Sequence, residues 1–190
     1  MRIISGVAKG RNLANVLGAT RPTSDRAREA LFSSLTSEFG DFENLKFLDL
    51  FAGSGAVGLE ALSRGAHLVH AVEKDDEAVK TIRANQEIVL RAKPVGTFQI
   101  FTTSAHKFLD KSGIDKHSYD IIFIDPPYDF SDVAVLELLN LIIKNEFCRK
   151  GGVVIVERAT KAAEIKWPAP IRSLRVKEYG VATLYYGEMG

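Results

Sequence analysis

The sequence predicts an α/β fold in which a mostly parallel sheet is covered by helices on both faces. Two observations support this class. From Leu45 onward, short apolar runs alternate with segments whose apolar residues recur at helical spacing. At the end of the chain, residues 173–179 and 181–186 are typical of two adjoining strands with a turn near Gly180. Such a hairpin would add one antiparallel strand to an otherwise parallel sheet.

The first 20 residues are predicted to form a small β-hairpin extension, because Gly6 and Gly10 divide residues 2–16 into short apolar pieces. Residues 21–190 are then the main domain. This division suits a chain of 190 residues.

A first helix is predicted to begin within the segment Arg21-Pro22-Thr23-Ser24-Asp25, with Thr23 or Ser24 as its N-cap. Its buried face is predicted from helical spacing to contain Ala27, Ala30, Leu31 and Leu35. Its other sides are expected to carry Arg26, Arg28 and Glu29.

The alternating part of the chain gives further elements in a regular order. Strands are predicted at 46–51, 68–73, 98–102, 120–124 and 152–157. Helices are predicted at 56–64, 75–91, 104–111 and 131–145. No internal repeat or low-complexity segment interrupts them.

Composition excludes several classes of protein. The chain is 46% hydrophobic and 26% charged, as in ordinary globular proteins, and no apolar run is long enough to span a membrane. Cys148 is the only cysteine, so an intrachain disulfide is excluded. With no signal-peptide pattern at the N-terminus, we expect a cytoplasmic protein. The four histidines are scattered, and no metal site is expected.

Positive charge is concentrated at the N-terminus. Residues 1–30 hold six basic and two acidic side chains, whereas the other 160 residues hold 19 basic and 22 acidic ones. A basic end on a slightly acidic body is suited to contacting the phosphates of a nucleic acid on one side only.

A glycine-rich turn follows the first predicted strand. It comprises Asp49, Leu50, Phe51, Ala52, Gly53, Ser54 and Gly55. Gly53 and Gly55 allow a tight turn and a close approach of the backbone to a ligand. With Gly58, and with Glu73 twenty residues after Gly53, the pattern also satisfies the dinucleotide fingerprint. An NAD-dependent enzyme is therefore an open alternative.

The position of Asp49 favours another cofactor. A carboxylate inside the strand would not help to bind a pyrophosphate, but it would attract a cationic ligand with a free amino group, such as S-adenosylmethionine. Glu73 suits either cofactor, because a carboxylate can accept hydrogen bonds from the hydroxyls of a ribose.

The motif Asp125-Pro126-Pro127-Tyr128 follows the apolar run 121–124. Hydrogen bonds from an exocyclic amine to the Asp125 carboxylate and to a proline carbonyl would aim the nitrogen lone pair at an electrophile. Tyr128 offers a stacking face for a nucleobase. The motif therefore predicts chemistry on the amine of a base.

These motifs are expected to meet at one edge of the sheet. Gly53, Glu73, Ser104 and Asp125 each follow a predicted strand. In open α/β sheets, ligands bind beyond the carboxyl ends of the strands.

The chain resembles the bacterial guanine-N2 methyltransferases that modify 16S rRNA. The resemblance rests on the segments 2–6, 9–11, 21–32, 48–55, 59–66, 125–128 and 177–180. The glycine and Asp-Pro-Pro-Tyr motifs are shared by many amine methyltransferases, whereas the Arg-Pro-Thr segment at 21–23 is more specific. The resemblance implies a Rossmann-like class I methyltransferase fold with a seven-stranded sheet and S-adenosylmethionine as methyl donor.

The resemblance also implies roles for the site residues. The methionine part of the donor would contact Asp49, Phe51, Ala52, Gly53, Ser54 and Gly55. Glu73, with Lys74 beside it, would bind the ribose. Ser104 and Ala105 match the adenine-contact position, where Ser104 replaces the family's usual acidic residue. The RNA-contacting residues would be Arg21, Thr23, Arg26 and Arg28.

Under this reading the partner is 16S rRNA, with the assembled small ribosomal subunit favoured over naked RNA. A monomer is expected, although no motif fixes the oligomeric state. Two alternatives remain besides the NAD-dependent enzyme. One is a DNA adenine-N6 or cytosine-N4 methyltransferase, which uses the same four-residue motif but usually carries an additional target-reading region. The other is a non-catalytic RNA-binding module that retains the fold.

Overall fold

The computed structural model describes residues 1–16, 25–110, 118–127 and 129–190. Seven strands are present: β1 Lys46–Asp49, β2 Leu68–Glu73, β3 Thr97–Thr102, β4 Tyr119–Ile124, β5 Cys148–Ala159, β6 Ile171–Tyr179 and β7 Ala182–Met189. The described helices are α1 Asp25–Phe39, α2 Ala56–Ser63, α3 Asp76–Leu90, α4 Ala105–Asp110 and α5 Asp132–Lys144.

The seven strands form one sheet in the order β3-β2-β1-β4-β5-β7-β6. The strands β1 to β5 pair in parallel, whereas β7 runs antiparallel to both β5 and β6. The prediction of a mostly parallel sheet with one antiparallel strand is therefore confirmed. The order reverses at β1 and β4, which is where open α/β sheets bind ligands.

The sheet has a hydrophobic core on each face because successive side chains along a strand point to opposite sides. Phe47 and Ile121 belong to one core, which also contains residues of α1, α2 and α3. Their neighbours Leu48 and Ile122 belong to the other, which is closed by α4 and α5. Burial on both faces explains why the central strands consist of continuous apolar runs.

Side-chain caps fix where two of the long helices begin. Asp75 accepts the Ala78 N–H at 2.8 Å at the start of α3, and Ser131 accepts the Ala134 N–H at 3.1 Å at the start of α5. Both capped helix starts lie at the carboxyl edge of the sheet, because α3 follows β2 and α5 follows β4.

Helix α1 confirms most of its predicted buried face, since Ala27, Leu31 and Leu35 are buried. Ala30 is only half-buried. Both candidate N-caps, Thr23 and Ser24, lie outside the described residues.

Arg28 contradicts its predicted exposure on α1. Its side chain is fully buried. One guanidinium nitrogen donates to the Arg2 carbonyl at 2.5 Å and to the Asp25 carboxylate at 2.9 Å. The burial contradicts only the predicted exposure, and a contact between Arg28 and an RNA phosphate stays a prediction that would require the side chain to leave this site.

Residues 1–16 form a turn-rich segment with one antiparallel bridge, between Arg2 and Asn12. The predicted antiparallel pairing is thus present, but regular strands do not develop. The buried carboxylate of Glu60 on α2 accepts the N–H groups of Ile4 and Ser5 at 2.7 and 3.0 Å. This attachment holds the segment against the main domain.

Among the described residues, no helix combines the length and apolar character needed to cross a membrane.

Candidate active site

A cavity of about 310 Å³ opens at the carboxyl ends of β1, β2 and β4. Most of the predicted site residues line it: Asp49, Phe51, Ala52, Gly53, Ser54, Glu73, Lys74, Ser104, Ala105, Asp125, Pro126 and Pro127. Tyr128 lies outside the described residues, as do Arg21 and Thr23. Segments far apart in the sequence therefore meet in one site, as the strand ends predict.

The two glycines of the turn have different tasks. Gly53 has a φ of 54° and open space where a Cβ would project, so its backbone faces the cavity. Gly55 has a φ of 77° and is not part of the cavity wall. A Cβ on Gly55 would lie 3.0 Å from the Ile82 side chain. Gly55 therefore shapes the turn and allows α2 to pack against α3.

Glu73 ends β2 and is bound by backbone donors. Its Oε2 accepts the Gly53 N–H at 2.9 Å, and its Oε1 accepts the N–H groups of Lys74 and Asp75 at 2.7 and 2.9 Å. A carboxylate offers about four lone-pair positions, so one remains, on the oxygen beside the glycine turn. Glu73 is thus oriented before any ligand binds.

Asp49 is almost completely buried at the base of the cavity. Burial, and secondarily the charge of Asp125, raises its pKa from 3.8 to about 7. Its Oδ2 accepts the Gly58 N–H at 3.2 Å. The Phe51 backbone N–H lies close enough to lower this pKa, but within the described part of the chain it makes no well-formed hydrogen bond to the buried Oδ1. A buried carboxylate with a free acceptor position is suited to bind a positively charged group of a ligand.

The loop after β4 holds Asp125 half-buried at the cavity wall. The Pro127 carbonyl accepts the Phe130 N–H at 2.9 Å, which leaves Pro126 as the better candidate for binding an amine through its carbonyl. Arg158 on β5 donates to the Phe130 carbonyl at 2.8 Å and fixes the far side of the loop. The Phe130 ring also packs edge-on against Phe51, with centroids 5.4 Å apart.

Ser104 lies at the cavity and caps α4, where its hydroxyl oxygen accepts the Lys107 N–H at 3.2 Å. The hydroxyl retains a donor and a second lone pair. It is therefore still able to bind a polar group on an adenine ring.

Ten residues of the cavity wall are absent from the predicted set. Four of them matter for the chemistry or the packing of the site: Met1, His106, Phe130 and Glu157. Glu157 had a usable signal, because it follows the apolar run 153–156 just as Asp125 follows 121–124. Met1 had none, because it comes from a segment whose position depends on tertiary contacts.

A second, smaller groove of about 240 Å³ lies beside α1. Three basic residues, Arg2, Lys9 and Arg26, line it together with Asp25 and Glu29. Arg26 is exposed, as predicted for a residue that contacts a phosphate. The groove holds three of the five described basic residues within residues 1–30, and Arg11 and Arg28 do not line it.

Comparison with known proteins identifies relatives along the whole chain. The family model described as conserved hypothetical protein 95 matches residues 1–188. A Bacillus subtilis protein, YlbH, named provisionally as an rRNA methyltransferase, is 33% identical over 185 residues, with 95% of each chain covered. Ribosomal RNA small subunit methyltransferase D of Escherichia coli is 35% identical over 158 residues, or 83% of this chain and 74% of that one. A solved Escherichia coli structure, described provisionally as the methyltransferase yhhF, has a TM-score of 0.82 at 32% identity and covers 100% of this chain and 98% of that chain.

Proposed function

This chain belongs to the conserved hypothetical protein 95 family, and we propose that it transfers a methyl group from S-adenosylmethionine to the N2 amine of a guanine in 16S rRNA. Family membership confirms the resemblance found in the sequence. The names of the relatives support an rRNA methyltransferase, and the site residues support an amine as the acceptor. The choice of guanine N2 follows from the sequence resemblance.

The residues of the cavity fit this cofactor. The buried Oδ1 of Asp49 makes no well-formed hydrogen bond among the described residues, and a ligand ammonium group would satisfy it. The backbone of Gly53 leaves room for a ligand where any other residue would place a Cβ. The remaining lone pair of Glu73 is positioned for a ribose hydroxyl. S-adenosylmethionine supplies an electrophilic methyl carbon, because that carbon is bonded to a sulfonium.

The protein's task is then to orient the amine and remove a proton. The Asp125 carboxylate and the Pro126 carbonyl accept the two amine N–H groups, so that the lone pair leaves the ring conjugation and points at the methyl carbon. Asp125 would also accept the proton that the nitrogen loses when bound S-adenosylmethionine supplies the methyl group. Burial first, and then the negative charges of Asp125 and Glu73, raise the pKa of Asp49 in this cavity.

The basic groove beside α1 supports an RNA substrate. Arg2, Lys9 and Arg26 are contributed by the N-terminal segment and by α1, and that segment also supplies Met1 to the cavity wall. A backbone phosphate bound in the groove would thus share one face of the protein with the reacting base. We expect the assembled small subunit, in the cytoplasm, to provide the specificity.

The observation that carries this proposal is the meeting of Asp125 and Pro126 with Asp49 and Glu73 in one cavity. The test is transfer of labelled methyl from S-adenosylmethionine to unmethylated small ribosomal subunits, with naked 16S rRNA and DNA assayed in parallel. Digestion to nucleosides should yield labelled N2-methylguanosine from the particle. Label in DNA would support the DNA methyltransferase alternative, and cofactor binding without transfer to any substrate would support the non-catalytic one.

A further inference from the structure

Glu157 lies beside Asp125 at the carboxyl edge of the sheet. Ile124 of β4 pairs with Val156 of β5 in parallel register, so the residues that follow, Asp125 and Glu157, are neighbours. Adjacent strands are about 4.8 Å apart. Both carboxylates line the main cavity, and both also line a small hollow of about 30 Å³ next to Pro126. The two acceptors are thus placed to bind one planar ring.

The order of the strands places some acidic residues on the cofactor side of the cavity and others on the side of the base. Along the edge of the sheet, Glu73 on β2 comes first, then Asp49 on β1, then Asp125 after β4 and finally Glu157 on β5. If the cofactor occupies the β2 and β1 side and Asp125 binds the reacting amine, the rest of the base extends toward β5. Glu157 therefore faces the ring of the base rather than the cofactor.

Guanine is the base whose edge fits two adjacent carboxylates. Next to its N2 amine it presents an N1–H donor, whereas the matching ring nitrogens of adenine and cytosine are acceptors. A carboxylate only accepts hydrogen bonds. Glu157 would hold the N1–H of guanine and would repel a lone pair at that position.

We propose that Glu157 selects guanine by accepting its N1–H while Asp125 binds the N2 amine, an assignment that rests on the proposed function. The spacing of the two carboxylates is fixed by the next residue. Arg158 donates to the Phe130 carbonyl at 2.8 Å and to the Asp132 carboxylate at 2.9 Å, which ties the end of β5 to the loop that carries Asp125. Glu157 is itself only half-exposed, so its hydrogen bond to a bound base would be shielded from water.

The variant Glu157→Gln distinguishes a role of Glu157 in accepting the guanine N1–H from a role in stabilising the fold. Its amide keeps the shape of the side chain but can turn an NH₂ toward a ring nitrogen that carries a lone pair. We expect the wild type to favour guanine over 2-aminopurine, which keeps the N2 amine but lacks N1–H, by at least about 100-fold in kcat/KM. In Glu157→Gln this preference should shrink at least about tenfold.

The experiment uses small subunits reconstituted with ligated 16S rRNA that carries guanine or 2-aminopurine at the nucleotide modified by the wild type. Glu164→Gln makes the same chemical change at an exposed position outside the cavity wall, so it is the matched control and should keep the wild-type ratio. An unchanged ratio in Glu157→Gln would overturn the assignment. 2-Aminopurine also lacks O6, so the guanine preference of one enzyme alone does not report on N1–H. The difference in that preference between the wild type and Glu157→Gln reports on the contribution of Glu157.

Measurements on the wild type keep the proposal testable if the variant folds poorly. A particle with N1-methylguanine at the target has no N1–H, and we expect its methylation to be at least about 100-fold slower. Methylation at the normal rate would overturn the role of Glu157 whatever the variant does. If the wild type modifies no guanine in any particle, the proposed function itself fails, and that result is separate from a failure of guanine selection.

Discussion

The carboxylate of Glu73 accepts the backbone N–H of Gly53 at 2.9 Å, across twenty residues of chain. The bond joins the turn after β1 to the end of β2, the two places where the cofactor would be held. Lys74 and Asp75 donate to the other oxygen of the same carboxylate. The cofactor side of the cavity is thus built around one side chain, and its geometry is preorganised.

Replacing Glu73 with Gln should weaken cofactor binding more than it weakens the fold. The amide has one acceptor oxygen, so it cannot serve backbone donors on both sides and also a ribose hydroxyl. We expect S-adenosylmethionine affinity to fall about 10- to 100-fold, as for the loss of a charged hydrogen bond, when measured by calorimetry. Glu77→Gln, an exposed change close by on α3, should bind normally. Equal affinity in both variants would exclude Glu73 from the cofactor site.

Asp49 should make the free protein less stable as the pH rises. Its folded-state pKa of about 7 lies above the ordinary 3.8, so between these values the folded protein retains a proton that the unfolded chain has lost. Its stability contribution is therefore fully present below pH 3.8 and is lost as the pH rises through 7. Asp49→Asn should gain on the order of 2–4 kcal/mol in free energy of unfolding at pH 8.

That gain should disappear near pH 4, where the wild-type carboxyl is also neutral in the folded state. Urea unfolding of the wild type and of Asp49→Asn, repeated at several pH values from 4 to 8, measures the difference in free energy of unfolding. The same variant should bind S-adenosylmethionine about 10- to 100-fold more weakly, because an amide cannot balance an ammonium charge. A variant that is no more stable than the wild type at pH 8 would contradict the raised pKa.

Asp125→Asn should lower turnover and leave cofactor binding nearly intact. The amide retains one acceptor but loses the charge that disperses positive charge on the nitrogen, so we expect kcat to fall at least about 100-fold. Asp129→Asn makes the same chemical change at an exposed position of the same loop and should remain active. Single-turnover methyl transfer with saturating cofactor distinguishes the two. Comparable rates for both variants would remove Asp125 from the reaction.

The sequence predicts the positions of the acidic groups well because each follows an apolar run. Glu73 and Asp125 are predicted at the ends of parallel strands, and parallel strands bring such ends to one edge. Asp49 differs, because the sequence places it inside a strand that runs to residue 51, whereas it ends β1 in the structure. Strand lengths are less predictable. β5 continues to Ala159, beyond its apolar run, because its last residues pair with β7. That pairing involves a distant part of the chain and leaves no local pattern.

Arg28 illustrates what helical spacing cannot provide. The pattern of apolar residues on α1 places an arginine on the outside, yet its guanidinium is buried and donates to the Arg2 carbonyl, 26 residues away. A buried arginine requires such partners, and they exist only once residues 1–16 are folded onto the domain. Tertiary contacts of this kind also bring Met1 to the cavity wall.

Arg26 and Arg28 therefore form a natural pair for testing RNA binding. Arg26 is exposed at the basic groove, whereas Arg28 is buried two residues further along α1. Arg26→Ala should weaken binding to small subunits, and the slope of log affinity against log salt concentration should decrease by about 1 because one phosphate contact is lost. S-adenosylmethionine affinity should not change. Filter binding over a range of salt concentrations provides the measurement.

Arg28→Ala should act on stability instead. The change leaves the Arg2 carbonyl and the Asp25 carboxylate without their donor, and we expect a loss of about 2–4 kcal/mol in free energy of unfolding. Below the melting transition, the salt slope of the folded variant should equal that of the wild type, because a buried guanidinium neutralises no phosphate. A reduced slope in Arg28→Ala, together with normal stability, would mean that Arg28 leaves its buried site to bind RNA.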